Sequence, residues 1–161
     1  MPARWLRLLL VAPLLAAGSC TGCALVDRDC VAPVTGTLSY VGSSVPPPFH
    51  VEWTITLDGE RGHFEVTPGY GSPQAWGDDF RPDPTLVAAA CTAVVETGAA
   101  DDPPPGSAVI TAELRDATDQ SVRKRAVATG SGDLYTAVKR AVPEATWTTV
   151  YGEYERWSDR Q

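Results

Sequence analysis

Between Phe49 and Leu57 every second residue is apolar: Phe49, Val51, Trp53, Ile55 and Leu57 alternate with His50, Glu52, Thr54, Thr56 and Asp58. A period of two places the first set on one side of a strand and the second on the other. Asp58 to Gly62 reads as a turn, and His63 to Thr67 as a returning strand. Pairing Leu57 with Gly62 sets Ile55 against Phe64 and Trp53 against Val66, all inward. Thr56 then faces His63 and Thr54 faces Glu65, outward. Register and alternation agree, which predicts a hairpin with one buried face. Continued, the register sets His50 opposite Gly69 and leaves both His50 and His63 solvated on the outer side, with Glu65 as the local ion-pair partner of His63.

Val34 to Val41 alternates too, with Val34, Gly36, Leu38 and Tyr40 on one side, and predicts a strand. Pro68 to Pro82 has no periodicity and reads as a long loop. Asp83 as cap and Pro84 at the first helical position open a helix that runs to Thr97 and stops at Gly98. Its apolar stripe is Leu86, Val87, Ala90, Cys91 and Val94. Ala108, Ile110, Ala112 and Leu114 predict another strand, and Ser121 to Thr129 a charged partner suited to a sheet edge. Asp133 caps a short helix, Leu134 to Val142, ended by Pro143. Thr146 to Tyr151 is β-rich and reads as a last strand, with Glu153 to Gln161 an amphipathic tail. The order βββαββαβ predicts an α+β domain: a mostly antiparallel sheet with two helices on one face.

Length and charge narrow the function. The 161 residues fit one domain, and the net charge of −7 gives no electrostatic footprint for nucleic acid or anionic headgroups. Met1 to Ala17 has the layout of an export signal: Arg4 and Arg7, then an apolar run from Leu8 to Ala17, then small residues. Ten apolar residues are too few to cross a hydrocarbon core about 30 Å thick, so a cleaved leader is expected. Without Arg4 and Arg7 the charge becomes −9.

The segment Leu14-Leu15-Ala16-Ala17-Gly18-Ser19-Cys20-Thr21-Gly22-Cys23 resembles the lipobox of bacterial lipoproteins. That resemblance implies cleavage before a cysteine that carries diacylglycerol, and so a membrane partner reached through an N-terminal lipid. Cys20 follows Ala-Gly-Ser and Cys23 follows Cys-Thr-Gly, so two positions compete. Lipidation at Cys23 discards Cys20 and leaves Cys30 and Cys91 as a pair; lipidation at Cys20 leaves an odd thiol, unusual in an oxidising compartment. Counting favours Cys23. Either way a Cys30–Cys91 disulfide is expected. The organisation is then a signal peptide over 1–22, a tether over 23–33, one domain over 34–152 and the tail over 153–161, held outside the cytoplasm at the membrane.

Candidate chemistry is sparse. No G-x-S-x-G is present, and Ser43, Ser44 and Ser72 sit among Pro and Gly. The Cys20-x-x-Cys23 pair has no second pair at zinc spacing, and the acids lack a calcium-loop pattern. No metal, cofactor or catalytic residue is expected. The 68–82 stretch is the best binding candidate, since it carries Tyr70, Trp76, Asp78, Asp79 and Phe80. The expectation is a binding or interaction module for an unidentified protein or ligand. The alternative is an exported enzyme of unrecognised type using the same loop.

Overall fold

A computed structural model of the chain describes residues 29–46, 49–96, 105–117, 123–128 and 132–161. The leader, Cys20, Cys23, Thr97 and Gly98 lie outside the described residues. Six strands are present: β1 (Thr35–Val41), β2 (Glu52–Asp58), β3 (Gly62–Thr67), β4 (Trp76–Phe80), β5 (Val109–Arg115) and β6 (Arg123–Ala128). The helices are α1 (Pro84–Glu96), α2 (Gly132–Arg140) and α3 (Glu144–Ser158). The strands form one antiparallel sheet in the order β4-β3-β2-β1-β5-β6. The fold is α+β.

The β2–β3 register is the one the alternation dictates, with Leu57 on Gly62, Ile55 on Phe64 and Trp53 on Val66. Carried across the sheet, the registers give one apolar face. Leu38, Ile55, Phe64 and Ala112 share a row on it, and Tyr40, Trp53, Val66 and Ile110 share the next. These residues form a single core with Val87, Ala90, Cys91 and Val94 of α1, Leu134 and Val138 of α2, and Trp147, Val150 and Tyr154 of α3. All three helices therefore pack on the same face. The other face presents Thr35, Thr37, Thr54, Thr56, His63 and Glu113, none of them in the core.

Three expectations need correction. Thr146 to Tyr151 is not a strand: it lies inside α3, which also absorbs most of the tail. Its Thr, Val, Trp and Tyr favour strands, but Trp147, Val150 and Tyr154 recur at helical spacing and are the residues buried, so packing overrides propensity. Second, the 68–82 stretch is not all loop, because Trp76–Phe80 pairs with β3 as the edge strand β4. Gly77, Asp78 and Asp79 hid it, since only Trp76 and Phe80 repeat on the inner side. Third, the short helix expected over Leu134 to Val142 spans Gly132–Arg140, so Asp133 lies within it rather than ahead of it.

Asp83 does cap α1: its Oδ1 accepts from the backbone N–H of Thr85 at 2.8 Å and of Leu86 at 3.2 Å. The fold also takes in residues ahead of Val34. Cys30 is buried and bonded to Cys91 in a disulfide, with a Cα–Cα distance of 5.8 Å. The Ala117 N–H donates to Val31 O, which extends the β1–β5 edge backwards.

An aromatic seam joins helices to sheet. Trp147 stacks on Phe64 at 4.6 Å and meets Trp53 edge-on at 5.6 Å. Tyr40 stacks on Trp53 at 5.2 Å, and Tyr135 closes edge-on over both. The Trp53 indole N–H is buried without a hydrogen bond among the described residues.

Two predictions follow from this packing. The disulfide spans 61 positions; loop-closure entropy of that size is worth about 4 kcal/mol. Cys91→Ala, or reduction, should lower the unfolding free energy by about that amount in a denaturant titration. Burial also raises the pKa of Tyr40, Tyr135, Tyr151 and Tyr154, with neighbouring phenols adding to the rise at Tyr135 and Tyr151. These phenols are neutral in the fold and ionise first in the unfolded chain. Their contribution is whole below the ordinary tyrosine value near 10 and is lost as pH rises toward the folded values. Unfolding midpoints should fall steeply above about pH 10, with phenolate absorbance rising as the fold is lost.

Candidate functional site

The sheet has two distinct ends. Thr35, Asp58, Gly62, Phe80 and Arg115 mark one, and the chain comes in there from Cys30. Val41, Glu52, Thr67, Trp76 and Val109 mark the other. Seven residues of β1 separate them, about 23 Å at strand rise.

The structure divides the candidate residues of the 68–82 stretch between these ends. Trp76 packs against Tyr154 and Trp157 at 5.9 and 5.6 Å. Phe80 is buried over Gly62, where a Cβ would overlap its ring. Asp78 is exposed on the edge strand. Asp79 Oδ1 accepts a hydrogen bond from His63 Nδ1 at 2.6 Å across the β3–β4 register, so Asp79 and not Glu65 is the partner of His63. Both are exposed. Tyr70 stands beyond Trp76 at the far end and is 59% exposed. The five residues do not converge on one space.

The far end holds an arrangement the alternation missed. Phe49 is not inward but 74% exposed, and His50 is not solvated but 3% exposed. The regular strand begins only at Glu52; Val51 O still accepts from the Gly42 N–H at 2.9 Å, and the departure from the alternation comes at Phe49 and His50. The His50 ring turns under the loop that follows β3. Gly69, with φ +68, is what admits it: a Cβ there would strike the imidazole. The register had put His50 opposite Gly69, and it was the side chain's direction that could not be read.

His50 works as a clasp. Its Nδ1 lies 3.1 Å from Ser43 O; a carbonyl only accepts, so Nδ1 carries the proton. Its Nε2 lies 3.0 Å from Glu52 Oε1. The Tyr70 ring covers it with centroids 4.3 Å apart. The Tyr154 hydroxyl, from α3, donates to His50 O at 3.0 Å. The Tyr70 hydroxyl in turn donates to Val45 O at 3.0 Å. Loops 42–51 and 68–72 are thus tied through one buried imidazole.

Tyr70 has φ +50, between Gly69 at +68 and Gly71 at +72. A left-handed tyrosine costs about 1–2 kcal/mol, and such strain gathers where a side chain must be presented in one direction. The clasp supplies the restraint. Phe49, Tyr70 and Val41 are large apolar groups left exposed here. Among the described residues no group of three or more His, Cys, Asp or Glu could hold a metal ion.

No protein family, no curated protein and no solved structure matches the chain.

If the clasp holds the far end, Gly69→Ala and His50→Ala should act there first. His50→Ala removes the ring partner of the Ser43 carbonyl and of the Glu52 carboxylate and should cost about 1–3 kcal/mol. Amide exchange should speed up over 42–51 and 68–72 while β1, β2 and β5 stay protected. Uniform loss of protection across the sheet would contradict the clasp.

Proposed function

We propose that the chain is an exported envelope protein, anchored to the membrane by an N-terminal lipid, whose α+β domain is a binding module. Its contact surface in this reading is the far end of the sheet, centred on Phe49 and Tyr70. The observation that carries the proposal is the clasp: it holds a strained tyrosine at the end opposite Cys30, beside a phenylalanine that is largely exposed. Exposed aromatic side chains on restrained loops supply large contact area with little entropy lost on binding.

The address rests on the leader. Six residues lie between Cys23 and Cys30, a reach of about 25 Å when fully extended. Such a short link would bring the Cys30 end toward the bilayer and leave Phe49 and Tyr70 facing outward. The disulfide is consistent with an oxidising compartment. No helix among the described residues is long and apolar enough to cross a membrane, so attachment in this reading is covalent.

Intact mass of the membrane-extracted protein is the first test. The expected mass lacks Met1 to Gly22, carries a lipid on Cys23 and two hydrogens fewer for one disulfide; loss of Met1 to Ser19 would place the lipid on Cys20. An unprocessed chain recovered from the cytosol with reduced thiols would end the proposal. A photo-crosslinking side chain at Phe49 or Tyr70 should then trap a discrete envelope partner, and the same group at Thr56, on the open face, should not.

A further inference from the structure

A second surface lies on the helix layer, near the end where the chain comes in. The end of α2, the first turn of α3 and Leu86 of α1 enclose an open groove of about 590 Å³, within the ordinary range of small-ligand sites. Leu86, Val142, Pro143 and Trp147 supply its apolar lining, beside Tyr135, Thr136 and Thr148. Leu86 is 41% exposed, although it sits in the apolar run of α1. Lys139 and Arg140 stand at the mouth, with Glu144 as the one acid among the lining residues.

The charges are what identify an occupant. The chain has 20 acids against 13 bases and only two lysines, yet Lys139 and Arg140 have no carboxylate within salt-bridge distance among the described residues. The Lys139 ammonium lies 5.1 Å from the Trp147 ring centroid, held on the aromatic wall by a cation–π contact. That contact leaves its three N–H donors for an anion, and Arg140 adds a planar fork beside it. Two cations in the last turn also complement the helix dipole, but that role needs no apolar wall beneath them.

We propose that this groove binds a single-chain anionic amphiphile: an aliphatic body against Leu86, Val142 and Trp147, and a carboxylate head on Lys139 and Arg140. The inference uses neither the anchor nor the Phe49–Tyr70 surface, so it stands or falls apart from them.

Calorimetry and tryptophan fluorescence on the disulfide-bonded protein test it, with dodecanoate and uncharged dodecanol as probes, each below its aggregation limit. Dodecanoate should bind saturably at one equivalent and about tenfold tighter than dodecanol, the worth of one charge-assisted contact. Lys139→Gln with Arg140→Gln should remove that tenfold preference and leave dodecanol binding unchanged. Both side chains are exposed, and circular dichroism confirms the fold. Leu86→Glu, at an exposed position, should weaken dodecanoate independently, and Thr148→Trp should block both probes. Equal affinity for the two probes, absence of saturation, or a dodecanoate affinity indifferent to the charge removals would overturn the proposal. So would an acidic peptide that binds the groove when the amphiphile does not.

Discussion

Trp147 is the contact on which the architecture turns. A sheet with one apolar face needs a layer to cover it, and α3 can serve only if held at the right distance and angle. Trp147 fixes both by stacking on Phe64 of β3 while meeting Trp53 of β2 edge-on. From that point the rest of α3 falls into place. Tyr151 stacks on Trp147 one turn later, and Tyr154 and Trp157 continue the line to Trp76 on the edge strand. Buried aromatic area and ring geometry both favour this arrangement. It also covers β4, whose Gly77, Asp78 and Asp79 would hold an edge poorly without it.

The disulfide acts on a different part of the problem. It joins Cys30, ahead of β1, to the middle of α1, so the first strand and first helix are fixed to one another before any side chain is counted. Trp147 secures the later half of the chain and the disulfide the earlier half. The two meet in the core formed by Leu38, Ile55, Phe64, Ala90 and Cys91.

What was legible in the sequence follows from which signals are local. The β2–β3 hairpin could be read to the residue pair, because alternation and turn length constrain the same register. The α1 cap and the Cys30–Cys91 pair could also be read, one from side-chain chemistry at a helix start and the other from counting thiols. Signals failed where long-range packing decides. Thr146 to Tyr151 has strand-forming side chains but burial at helical spacing, and only the sheet it covers reveals which prevails. β4 has almost no pattern of its own. The far-end site was half visible: Tyr70 stood out as an aromatic among glycines, whereas Phe49 and His50 were each assigned to the wrong side. Alternation assumes that a strand begins where the pattern begins, and here the regular strand starts three residues after Phe49, at Glu52.

That displaced start makes the far end more than a loose pair of loops. Once His50 leaves the ladder, its backbone carbonyl and both ring nitrogens must be satisfied elsewhere. The carbonyl takes the Tyr154 hydroxyl, which α3 delivers from the aromatic seam. One ring nitrogen takes Ser43 and the other faces Glu52. The contact to Glu52 joins the two groups only while a proton lies between Nε2 and Oε1, since two lone pairs would repel. The same helix that covers the core therefore also sets the position of the imidazole on which Tyr70 rests. Loosening Trp147 would release α3, then the Tyr154 hydroxyl, then His50, and with it the support for a tyrosine held in a conformation it otherwise avoids. The exposed aromatic end is thus set by the core, although no residue of the core is exposed within it.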